Sequence, residues 1–130
     1  MTTEELADQL ELSLAEVEMF YDARDDEFVL FEAVHYMNTH FPDLPMSTRT
    51  DMAKSAIQKL LDRGWIALYV WSARSDTPLT TEQSRAVIAD PRQWESPIQG
   101  IYEDSWRCGY FATEEGQHIG ATGKWANRTT

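Results

Sequence analysis

The chain has 130 residues, is 42% hydrophobic and carries a net charge of −11, enough apolar content to close one core and the length of one domain. No apolar run approaches the roughly 20 residues of a membrane helix, and the opening Met1-Thr2-Thr3-Glu4-Glu5 lacks the basic-then-apolar pattern of a secretory signal, so a cytoplasmic protein without membrane partners is expected. The charge is uneven: residues 1–32 hold 11 acids against the base Arg24, while the remaining 98 residues sum to −1, too near neutral either to steer a polyanion or to exclude one.

Two hydroxyl caps, each followed three residues later by a carboxylate, open the chain: Thr2 with Glu5 and Ser13 with Glu16. They predict two short helices within an acidic segment 1–24, docked through Leu6, Leu10, Leu14, Val17 and Phe20 or Tyr21, with their acids outward. Asp25 and Asp26 cap a predicted helix from Glu27 to about Thr39, which Pro42 and Pro45 end because proline has no amide donor and extends the residue before it. The spacing of Met52, Ala53, Ala56, Ile57, Leu60 and Leu61 predicts a helix from Thr48 to Asp62, capped by Ser47 or Thr48 and closed by Gly64.

At Trp65 the period changes to two, and the strand Trp65–Trp71 is apolar on both faces. Ser72 to Thr77 reads as a turn. Thr80 with Gln83 opens a helix that Pro91 stops, Trp106–Phe111 reads as a second strand, and Thr113 with Glu114 and Glu115 starts a last helix before a flexible tail, 123–130. Trp65, Tyr69 and Trp71 share one strand face, and Trp106 with Tyr110 share one face of the neighbouring strand. Either this aromatic layer is covered by the 80–94 insertion, or it forms an exposed partner-binding face of the Trp and Tyr kind that dominates interface hot spots.

Motifs for chemistry are missing. His35, His40 and His118 make no ligand set, no Cys or His pair has zinc spacing, and Asp22, Asp25, Asp26 and Glu27 lack the spacing and central glycine of a calcium loop and read as a solvated helix cap. There is no GxSxG, glycine-rich phosphate loop or HExxH, so neither an enzyme, a metal nor a cofactor is expected. Lone Cys108 reads as a small hydrophobe on a strand.

Two phrases carry a resemblance: Leu60-Leu61-Asp62-Arg63-Gly64-Trp65-Ile66 and Tyr110-Phe111-Ala112-Thr113-Glu114-Glu115-Gly116. Both are similar to the segments bracketing the wing in bacterial regulators of the winged helix-turn-helix superfamily. The resemblance implies a mostly helical α+β fold of five or six helices, with a two- or three-stranded antiparallel wing carrying a helical insertion, in one domain over 1–122 whose helix-turn-helix and wing span 27–120. It also implies that the 48–62 helix is a DNA-reading helix, with Arg49, Lys54, Ser55, Gln58, Lys59 and Arg63 facing DNA and Arg74 near the wing tip. Asp51 and Asp62 on that same face depart from the pattern, since acids there repel phosphates. The primary expectation is therefore a small acidic protein-binding module, regulatory or inhibitor-like, whose unknown partner is basic. A DNA-binding regulator, whose homodimer would double the basic footprint, is the alternative, and a small-ligand binder or enzyme the second alternative.

Overall fold

The computed structural model describes residues 2–72, 77–97 and 104–121. Its elements are α1 (Thr3–Leu10), α2 (Leu14–Asp25), β1 (Phe28–Val29), a 3-10 turn (Leu30–Ala33), α3 (Val34–His40), α4 (Met46–Asp62), β2 (Ile66–Val70), α5 (Thr81–Ala89), a second 3-10 turn (Pro91–Trp94), β3 (Cys108–Ala112) and α6 (Glu114–Ala121). The class is α+β and mostly helical, with one antiparallel sheet in the order β1-β3-β2.

The local signals act as their chemistry dictates. Thr2 Oγ1 accepts from the Glu5 amide at 3.1 Å, and Ser13 and Glu16 form a reciprocal capping box at the start of α2, as Thr80 and Gln83 do for α5. Gly64, at φ 78°, ends α4: its amide bonds the Leu61 carbonyl and the Trp65 amide the Leu60 carbonyl, the paired bonds of a Schellman cap.

Two expectations are corrected. The segment from Glu27 is not a continuous helix: Phe28 and Val29 pair with Tyr110 and Gly109, and helix begins only after the 3-10 turn. Glu32 accepts from the Val29 amide at 3.1 Å and Asp26, extended at φ −154°, caps Glu27, so helix starts late, while pairing with β3 makes Phe28 and Val29 a strand. α4 begins at Met46 with Pro45 as its cap residue and no side-chain cap bond, so Ser47 and Thr48 lie inside its first turn.

The core lies between the helices and one sheet face. Leu6, Val17, Met19 and Phe20 from α1 and α2, Leu12 from the link between them, Leu30, Val34 and Met37, and Ala53, Ala56, Ile57 and Leu60 from α4 close over Ile66, Leu68 and Tyr110. α6 locks the ends together. Thr113 Oγ1 donates to the Gly64 carbonyl at 2.6 Å and accepts from the Gly116 amide, while the Thr113 amide bonds the Trp65 carbonyl. A Cβ on Gly116 would lie 2.1 Å from the Trp65 carbonyl oxygen, so only glycine permits this approach.

The segment between β2 and β3 is tied down at both described ends. The Leu79 amide bonds the Leu68 carbonyl on the outer edge of β2, and the Gln93 carboxamide donates to the Trp106 carbonyl at 2.6 Å and accepts from the Cys108 amide at 2.9 Å.

Candidate functional site

The register decides the fate of the aromatic set. Leu68 stands opposite Tyr110, and Tyr69 opposite Gly109, so Tyr110 faces the core with Leu68 while Tyr69 lies on the other face with Phe111. The proposed contiguous face of Trp65, Tyr69, Trp71, Trp106 and Tyr110 is thus divided. Tyr110 is fully buried. Tyr69 is 2% exposed, its hydroxyl 3.0 Å from Glu27 Oε2 and its ring against Phe111 and Trp71 at 5.6 and 6.0 Å. Gly109 makes the layer possible, because a Cβ there would meet Trp71 at 2.8 Å and Tyr69 at 3.2 Å. Trp65 is half-buried between Phe20 (5.2 Å) and the Arg63 guanidinium (4.9 Å), and Trp106 lies outside β3, its ring 4.8 Å from the Arg92 guanidinium and 4.7 Å from that of Arg107. Tyr69 and Trp71 pack on each other, while Trp65, Trp106 and Tyr110 are engaged elsewhere.

α4 presents its exposed ridge through Thr48, Asp51, Ser55 and Asp62, at the three- to four-residue steps of one helix face. The bases flank this ridge and turn back into the protein. Arg49 donates to Asn38 Oδ1 at 2.9 Å, and Lys59 meets Glu16, which is 12% exposed, at 3.0 Å. Arg63 reaches the α1 C-terminus, where it donates to the Leu10 and Glu11 carbonyls that the helix itself leaves without partners. Lys54 lies 4.0 Å from Asp51 on its own helix, and Gln58 donates to Asp62 at 2.8 Å. Ser55 is exposed, and Arg74 lies outside the described residues.

Among the described residues, concavities lie beside these helices. One, about 410 Å³, runs between α2 and α4 and is lined by Ser13, Glu16, Met37, Phe41, Thr48, Asp51, Met52 and Ser55. A second, about 300 Å³, lies on the other flank of α4, between Gln58 and Asp62 and the Leu79–Ser84 stretch. A third, about 390 Å³, between α1 and α2, has Glu18, Asp22 and Asp25 beside Leu6, Val17 and Tyr21. The turn between α3 and α4 holds Leu44 (38% exposed) and Met46 (55%) opens α4; these are the exposed large hydrophobics among the described residues. Sequence reasoning took this turn as a helix breaker. The apolar pair flanking Pro45 was its legible signal.

Hydrogen bonding to Arg92 holds the Asp90 carboxyl below its ordinary value, and burial shifts three other groups. Burial, and then the neighbouring Asp90, push the Cys108 thiol up, so it stays protonated at neutral pH. Burial raises the Tyr36 phenol as well, reinforced by its hydrogen bond to Asp22, and burial raises Tyr110. Among the described residues no group of three His, Cys, Asp or Glu side chains is placed to hold a metal ion, and no helix is long and apolar enough to cross a membrane.

Compared with protein-family models, curated proteins and solved structures, the chain matches none.

Proposed function

We propose that this protein is a non-enzymatic protein-binding module on a winged-helix scaffold, offering an acidic surface to a basic protein partner. The scaffold reading is supported by connectivity: helix α2, strand β1, helices α3 and α4, strand β2, a long arm and strand β3, with β3 between the other two. It is supported too by contact between the two phrases that carry the resemblance, Thr113 and Gly116 against Gly64 and Trp65. Fold alone assigns no function, so the surface must decide.

The observation that carries the protein-binding reading is the chemistry of α4. Where a winged helix would meet phosphates, the exposed ridge offers Asp51 and Asp62, while Lys59 and Arg63 are held by Glu16 and the end of α1. A DNA reader needs free cations there, because neutralising phosphates with release of counterions supplies most of its affinity. With a net charge of −11, the long-range field favours a basic protein.

The test is fluorescence anisotropy of a labelled DNA duplex and of a labelled lysine-rich peptide, each titrated with the protein between ~50 and ~200 mM salt. The peptide is expected to bind with affinity that falls as salt rises, and the duplex not to bind even at the lower salt. Saturable duplex binding that Lys54→Glu with Lys59→Glu abolishes would overturn the reading in favour of a DNA-binding regulator.

A further inference from the structure

We propose that the cavity between α4, β2 and α5 is a binding site for a free small molecule: a primary ammonium on a short aliphatic chain whose far end carries a hydroxyl or a similar hydrogen-bonding group. The inference does not rest on the protein-binding reading above.

Three elements build the walls. The end of α4 contributes Gln58, Leu61 and Asp62, the start of β2 contributes Ile66 and Ala67, and the arm that follows contributes Leu79, Thr81 and Ser84. The arm is held to the sheet where the Leu79 amide bonds the Leu68 carbonyl at 2.8 Å, and the box of Thr80 and Gln83 fixes the first turn of α5. Walls already in place cost a ligand little ordering, and about 300 Å³ is the lower end of the range that small-molecule sites occupy.

The polar groups select the ligand. Exposure sorts them by depth: Asp62 and Thr81 are exposed and stand at the mouth, whereas Ser84 is 5% exposed and stands with Ile66, 2% exposed, at the floor. Among the described lining residues Asp62 alone is charged, and it pairs with no cation among the described residues, because Lys59 and Arg63 turn to Glu16 and to the end of α1. Gln58 Nε2 donates to Asp62 Oδ1 at 2.8 Å, which spends the carboxamide donor there and leaves its carbonyl as a second acceptor. The negative pole of α4 ends beside them, while the positive pole of α5 is answered by its capping box and by Glu82 in the first turn. Acceptors and negative charge at one mouth fit an ammonium. Below it Leu61, Ile66, Ala67 and Leu79 offer aliphatic wall for a methylene chain. At the floor, the Ser84 hydroxyl has no hydrogen-bond partner among the described residues, and a ligand group that reaches it removes the cost of leaving it so. A lysine side chain from a partner would enter ammonium first and set its charge at Ser84 and its stem against Asp62. The order of the groups therefore favours a free molecule that enters chain first.

The experiment is amide chemical-shift mapping on the full chain, titrated with aminopentanol and, in parallel, with pentylamine, pentanol and hydroxypentanoate. Aminopentanol should shift Gln58, Asp62, Ala67, Thr81 and Ser84 and saturate at roughly millimolar concentration, as its few non-hydrogen atoms permit. Pentanol, which lacks the charge, and pentylamine, which lacks the hydroxyl, should each bind roughly fivefold more weakly, and hydroxypentanoate should not bind. Asp62→Asn keeps the shape of the mouth and should weaken aminopentanol roughly tenfold. Ser84→Ala should weaken aminopentanol roughly fivefold and leave pentylamine unchanged. Unchanged melting curves would establish that both variants fold, and the ligand series on the parent chain tests the site without them. Equal binding by pentanol, or by Asp62→Asn, overturns the ammonium site. Shifts confined to the Glu18, Asp22 and Asp25 cleft overturn its place. Tighter binding by N-acetyl-lysine amide than by aminopentanol overturns the free molecule in favour of a partner's side chain, and no saturable shift at ~50 mM aminopentanol overturns the site altogether.

Discussion

Replacing Gln93 by leucine tests how the arm between β2 and β3 is joined to the sheet. β1 ends at Val29, opposite Gly109, so from Cys108 backwards the outer side of β3 has no partner strand. The Gln93 carboxamide takes that place, donating to the Trp106 carbonyl and accepting from the Cys108 amide, with the side chain 1% exposed. Gln93→Leu keeps the volume and removes both bonds. The Cys108 amide belongs to a residue 3% exposed and suffers the full penalty of a buried unsatisfied donor, whereas the Trp106 carbonyl, on a half-buried residue, regains some water. At about 1–3 kcal/mol for each fully buried group, the loss should be about 2–4 kcal/mol. For a domain of this length that lowers Tm by roughly 8–15 °C. Urea titrations followed by tryptophan fluorescence would measure it, an unchanged m-value showing that the native state stays compact. Gln93→Glu separates the two bonds: its carboxylate keeps the acceptor for Cys108 but faces the Trp106 carbonyl without a proton. That carboxyl should hold its proton to higher pH folded than unfolded, so its stability is greatest in acid and declines as pH rises through the carboxylate range. A loss under about 0.5 kcal/mol for Gln93→Leu would refute the argument, because the orphaned Cys108 amide alone cannot be so cheap.

Gly116→Ala forces a methyl group onto the Trp65 carbonyl and should cost more than about 3 kcal/mol in a thermal melt; an unchanged melt would mean that α6 shifts without penalty. Glu11 closes α1 at φ 56°, a left-handed position that glycine occupies without strain, so Glu11→Gly should stabilise by about 0.5–1 kcal/mol while its carbonyl still receives Arg63. Tyr36 and Tyr110 have phenols raised above their ordinary value, so the unfolded chain ionises first as pH climbs. Stability should be full below about pH 10 and fall above it, and urea midpoints of Tyr110→Phe should fall less steeply there than those of the parent.

What the sequence made legible was whatever is decided within a few residues. The boxes Ser13 with Glu16 and Thr80 with Gln83, the glycine after α4 and the period change at Trp65 are local chemistry, and each appears at the expected place. β1 was not legible because two residues carry no period, and only β3, eighty positions away in the chain, makes them a strand. The aromatic face failed for a related reason. Alternation assigns side chains to faces within one strand, but which faces coincide depends on register, and a shift of one residue would have put Tyr110 beside Tyr69.

The candidate site shows the same limit with more at stake. The list Arg49, Lys54, Lys59 and Arg63 describes a basic helix by composition, and its flanking stripe can be drawn on a helical wheel. Whether those cations are free is set by what docks beside them. Glu16 lies 43 residues before Lys59, and the Leu10 and Glu11 carbonyls that hold Arg63 exist as acceptors only because α1 ends there. Docking the acidic N-terminal pair of helices therefore does two things to α4. It consumes the cations on one flank, and it leaves the ridge of Asp51 and Asp62 as the outermost charge. One N-terminal acid, Glu16, and the carbonyl end of α1 thus shape the surface of a helix some forty residues later. On the function proposed above, the surface of this helix could turn toward a basic protein partner without any change in the core, since the residues that set the fold (Ala53, Ala56, Ile57, Leu60) and those that set the surface lie on opposite faces of one helix.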